Sequence, residues 1–109
     1  MEDRPLAWLG SSLADVRAFP EDTRRMVGYQ LRRVQKGLMP TDWKPMSSVG
    51  TGVVEVRLHT RLEHRVLYIA KYSEAIYVLH AFEKKTRKAS RRDLGIASQR
   101  LKDLESLRK

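Results

Sequence analysis

The residues best equipped for chemistry are cations gathered around strand-like segments. Residues 84–92, KKTRKASRR, hold six Lys or Arg in nine positions and no acid, and follow the apolar run AIYVLHAF at 75–82 after a single intervening residue, Glu83. Along 53–59, Glu55, Arg57 and His59 interleave with Val54, Val56 and Leu58, and Arg65 follows in the next alternating segment. Antiparallel pairing of these segments would gather Arg57, His59, Arg65, Lys84, Lys85, Arg87 and Lys88 on one face, a surface suited to a phosphodiester. Cleavage of RNA by its own 2′-hydroxyl needs in-line alignment, removal of the 2′ proton, stabilisation of charge on the phosphorane oxygens and protonation of the leaving 5′ oxygen. Arg and Lys meet the third need, because charge-assisted contacts strengthen as negative charge grows. A Lys crowded by guanidinium groups also exchanges its proton closer to neutrality.

Plainer readings stand beside these. Glu55 and Arg57 would pair on a solvated strand face, and residues 84–92 would serve equally as a patch for phosphate or an acidic peptide. His80, inside the apolar run, reads as a hydrogen-bonded core histidine. Trp8, Trp43, Tyr68, Tyr77 and Phe82 read as core, and Arg24, Arg25, Arg32 and Arg33 as a solvated helix face. There is no GxSxG, Walker loop, HExxH or dinucleotide fingerprint. The histidines, His59, His64 and His80, lack metal-ligand spacing and have no cysteine partner. Neither a metal nor a cofactor is expected.

Composition narrows the class. The 109 residues carry a formal charge of +9, with 8 Lys or Arg against 6 acids in residues 1–54 and 14 against 7 in 55–109. That balance, with a pI near 10.3, suits RNA, DNA, acidic protein or an anionic membrane surface. The absence of cysteine excludes disulfides and thiol chemistry and allows folding in a reducing compartment. No apolar run reaches the ~20 residues of a membrane span, and the start MEDRPLAWLG does not read as a signal peptide. One domain over 1–109, soluble and cytoplasmic, with no membrane partner, is the expectation.

The elements that must position these residues follow from period and punctuation. Residues 6–9 suit an edge strand, and Ser12 with Asp15 reads as a capping box opening a short helix to about Phe19. Pro20, Glu21 and Asp22 open a second helix with Val27, Leu31, Val34 and Leu38 as its buried stripe and Gly37 as its C-cap. Residues 39–52, rich in Pro, Gly, Ser and Thr, read as loop anchored by Trp43. Period-two strands are expected over 53–59 and 65–71 and a doubly apolar strand over 75–82. Ser90 and Asp93 then start a helix with Ile96, Ala97, Leu101, Leu104 and Leu107 as its stripe. The predicted class is α+β, a small antiparallel sheet with an N-terminal helical hairpin and a C-terminal helix, in the order β-α-α-β-β-β-α.

Several blocks resemble the RelE/ParE toxin superfamily, specifically its HigB-like, phage-derived branch. They are W-K-P-M at 43–46, E-V-R at 55–57, H-R-V-L-Y at 64–68 and, most specific, V-L-H-A-F-E-K-K-T at 78–86 followed by K-A-S-R-R-D-L. The resemblance implies the toxin of a type II toxin-antitoxin system, a ribosome-dependent, metal-independent mRNA endonuclease held in check by a cognate antitoxin of helix-turn-helix type. It implies Arg57, Arg65, Lys84 and Lys85 as catalytic residues. Arg65 and Lys84 would bind the scissile phosphate, while Lys85 and Arg57 support orientation or proton transfer. Glu55, Thr86, Arg87, Lys88, Arg91 and Arg92 are the expected RNA-binding set, with Glu55 orienting Arg57. His64 stands where the family usually has Tyr, and Ala89-Ser90 replaces Thr-Pro. Replacing Arg65 with Ala is expected to leave the fold intact. The rival readings are a ParE-like gyrase inhibitor and a noncatalytic nucleic-acid-binding module.

Overall fold

The computed structural model describes residues 3–108. In chain order these form β1 (Leu6–Trp8), α1 (Ser12–Arg17), α2 (Glu21–Gln35), β2 (Trp43–Pro45), β3 (Val53–His59), β4 (Glu63–Ile69), β5 (Ile76–Glu83) and α3 (Arg91–Leu107). The class is α+β, as expected, with two corrections. The sheet is mixed: its order is β1-β5-β4-β3-β2, with β1 parallel to β5 and the other neighbours antiparallel. The predicted order also lacked β2, which lies within the segment read as loop. Pro45 is tolerated because β2 is an outer strand, where a missing N–H breaks no inner ladder. Trp43 is 39% exposed there and is not core.

The sheet is clothed on both faces. Val56, Leu58, Val66, Tyr68, Ile76 and Val78 pack with Val16, Val27, Leu31 and Val34 from the N-terminal helices. Val53, Leu67, Ile69, Leu79 and Phe82 pack on the other face with Ala97, Leu101 and Leu104 of α3. Central β4 therefore serves two cores, and all of it after Glu63 is buried. The turn before it is shorter than predicted, which brings Glu63 and His64 into the strand.

Helix ends explain three further differences. Ser11, not Ser12, is the N-cap of α1; Ser12 is buried inside the helix and its hydroxyl donates to Val78 O at 3.3 Å. Gly37, at φ +86°, ends α2 in a left-handed turn where Leu38 N–H donates to Arg33 O at 3.0 Å and Gly37 N–H to Val34 O at 3.0 Å. That turn throws Leu38 out of the predicted stripe, and it is exposed. Ser90 caps α3 as expected, accepting the Asp93 N–H at 3.0 Å, but the stripe stops at Leu104 and Leu107 is 85% exposed.

Candidate nucleic-acid interface

The strand register sorts the charged residues of the α3 side into rows. Arg57 stands opposite Arg65, and Arg65 opposite Phe82. In the next row Lys44 stands opposite Glu55, and Glu55 opposite Leu67. Toward the rim, Lys84 N–H donates to Glu63 O at 2.7 Å. Pairing thus continues past the end of β5, and Lys84, two residues beyond Phe82, falls on the same face as Arg65.

Two arginines directly opposed across a ladder repel. Glu55 offsets this charge: its Oε1 lies 3.7 Å from Arg65 Nε and 3.8 Å from Lys44 Nζ. The expected Glu55–Arg57 couple is therefore replaced by an ion pair with Arg65 and Lys44. Glu55 and Arg65 are each only 2% exposed. Arg65 Nη1 also donates to Glu63 Oε1 at 3.1 Å and to His64 O at 2.9 Å. Its guanidinium is thus held beneath the surface, and its field, rather than its own contact, reaches the face. Removing it would leave a buried carboxylate facing only Lys44, at a cost of about 3–5 kcal/mol; the expectation that Arg65→Ala spares the fold is corrected accordingly. Glu55 Oε1, Arg57 Nε and Arg65 Nε are buried without a hydrogen-bond partner among the described residues.

Lys84 is the half-buried outlet of this group. Burial pushes its pKa below the ordinary 10.5, and Arg65 pushes it further down; Lys44 and Arg57 add to that effect while Glu55 opposes it. Lys85, one residue on, is exposed. Beyond it Thr86 turns inward on its own loop, its hydroxyl donating to Lys88 O at 2.6 Å. A cleft of about 320 Å³ is lined by Lys84, Lys85, Thr86, Lys88 and Arg92 among others; Arg87 and Arg91 are exposed outside that lining. Among the cations of the described residues, Lys84 alone belongs to both the strand group and the cleft. Lys44 escaped the sequence reading because β2 was missed; its signal was the W-K-P placed to pair with E-V-R.

The histidines separate by environment. His64 is buried on the opposite face with its ring centroid 4.3 Å from that of Phe19, and burial lowers its pKa. His59 sits at the sheet's end between Glu63 Oε1 at 2.7 Å and Asp42 Oδ2 at 2.6 Å. Those two carboxylates, Glu63 foremost, raise its pKa. His80 is buried and paired with Asp93 at 2.8 Å.

The family model described as phage derived protein Gp49-like (DUF891) matches residues 14–102. The chain belongs to that family. Gp49-like proteins are RelE/HigB-like toxins associated with toxin-antitoxin systems, so a cognate antitoxin is implied. The match runs from within α1 to within α3 of this Gp49-like chain and leaves out β1, the first residues of α1 and the end of α3. No curated protein matches the chain. No helix among the described residues is long and apolar enough to cross a membrane.

Proposed function

We propose that this Gp49-like protein is a HigB-type mRNA interferase, the toxin of a type II pair, which enters the ribosome and cuts messenger RNA through attack by the RNA's own 2′-hydroxyl. The observation that carries this reading is the position of Lys84, half-buried where the face of the buried Glu55–Arg65 pair meets a cleft lined by Lys85, Lys88 and Arg92 together with Glu83 and Asp93; burial and Arg65 push its pKa down there. In this reading Lys84 contacts the scissile phosphate and exchanges a proton with the reacting oxygens. Arg57 and Lys44 supply surface charge as the phosphorane forms. Arg65 acts from below, orienting Glu55 and raising the local potential. Lys85, Thr86, Lys88 and Arg92 hold flanking phosphates, and Arg87 and Arg91 extend the positive field. The aligned substrate geometry comes from the ribosome, so naked RNA is cut poorly. A helix-turn-helix antitoxin covers the toxin at rest, and the compartment of action is the cytoplasm.

Primer extension on a defined messenger RNA in a purified translation reaction tests this. New ends that require ribosomes and disappear with Lys84→Ala, a half-buried site whose loss spares both cores, support the reading. Folded wild type that produces no new ends overturns it and turns attention to gyrase.

A further inference from the structure

We propose that His80 is a positioning residue that holds residues 84–90 in the shape that grips RNA. This rests on the interferase reading above and concerns a side chain that never touches the substrate.

The loop is under electrostatic load. Six cations crowd residues 84–92, and Asp93 is the one acid from residue 84 to residue 102. Arg91 and Arg92 stand in the first turn of α3, at the positive end of its dipole, where cations are disfavoured. Gly95 loosens the same turns by about 1 kcal/mol relative to Ala. Left alone, this segment would splay and the start of α3 would fray.

A clasp opposes that. Asp93 Oδ1 is 2.8 Å from His80 Nε2, its Oδ2 accepts from Ser90 Oγ at 2.6 Å, and its N–H donates to Ser90 Oγ at 3.0 Å. His80 is fixed in turn: its ring stacks on Phe82 at 5.2 Å, and Arg100 Nη1 approaches its Nδ1 at 3.4 Å. Arginine is only a donor, so Nδ1 accepts and Nε2 carries the hydrogen given to Asp93. Arg100 is itself anchored, donating to Leu79 O at 2.9 Å and Ser11 Oγ at 3.0 Å. Its guanidinium occupies the place where a side chain at Gly10 would begin, and Gly10 takes φ +53°. The clasp joins β5 before the loop to α3 after it, so both ends of the basic segment are tied to one buried imidazole.

The test compares wild type, His80→Phe and His80→Gln. Phe keeps the stack on Phe82 and removes both nitrogens; Gln restores a donor for Asp93. Each is titrated in the ribosome-dependent cleavage assay, and amide hydrogen exchange is followed over 84–90. His80→Phe is expected to raise the half-maximal toxin concentration about tenfold and speed exchange in the loop, with Gln recovering most of both. Wild-type behaviour of His80→Phe, or equal damage from Phe and Gln, overturns the proposal. Should His80→Phe fail to fold, Asp93→Ala, which removes the acceptor for His80 and keeps the backbone N–H that Ser90 caps, takes its place: faster loop exchange with the core unchanged supports the clasp, and unchanged exchange refutes it. If wild type cuts nothing, the interferase reading falls, and the exchange comparison alone decides the clasp.

Discussion

Lys44 and Glu55 face each other across the β2–β3 ladder, with the ammonium 3.8 Å from the carboxylate, and the same oxygen lies 3.7 Å from Arg65 Nε. The two cations differ in depth, since the Lys44 side chain is half exposed while Arg65 is buried. Glu55→Ala should therefore cost about 3–5 kcal/mol, by leaving Arg65 without its buried counter-charge. Lys44→Ala should cost under about 1 kcal/mol while weakening cleavage. Urea unfolding of the two variants checks the contrast.

Lys84 supplies a pH signature. Its lowered pKa means that the neutral amine becomes available at lower pH than for an ordinary lysine. Cleavage by wild type should rise with pH at a lower pH than an ordinary lysine would allow, and Lys84→Arg, which keeps its proton, should flatten that rise and slow the reaction by about 10²–10⁴. Single-turnover rates on stalled ribosome complexes measure both.

His59 and His64 should tilt the stability curve in opposite directions. Glu63 and Asp42 raise the folded pKa of His59 above 6.5, so its contribution is full below the unfolded value and fades as pH rises through the raised one. Burial lowers the folded pKa of His64 below 6.5, so its contribution is full above the unfolded value and is lost as pH falls through the depressed one. Urea midpoints across about pH 5 to 8 should lose their alkaline decline in His59→Asn and their acid decline in His64→Leu.

Lys88 lines the cleft and is exposed. Lys88→Ala should weaken binding of a single-stranded RNA whatever its sequence, and lower the slope of log affinity against log salt by about 0.7 for the one lost phosphate contact. Fluorescence anisotropy at several salt concentrations reads this.

Much of the architecture was legible because period and caps speak locally. Val54, Val56 and Leu58 declared a strand, Ser90 with Asp93 a helix start, and Gly37 a helix end. What was hidden depended on partners distant in sequence. Three residues around Pro45 look like loop until β3 offers an edge, and only then does Lys44 reach Glu55. The parallel pairing of β1 rests on contact with β5 and has no local signature. Burial of Arg65 was equally invisible, since alternation reports which face a residue takes and not how deeply its surroundings enclose it. His80 was read correctly as a bonded core histidine, yet its partner Asp93 was assigned only to capping.

Leu6 pairs with Ile76, so the first strand finds its place only beside the last. Such a long-range closure carries a large entropic cost before any contact rewards it, and it slows folding. A chain still being synthesised holds β3 and β4 but cannot complete the sheet until β5 has emerged, and the basic segment comes later still. The cation-lined surface therefore comes into being only after β5 has joined β3 and β4 and residues 84–92 have followed it, so its assembly waits on the long-range closure of the sheet.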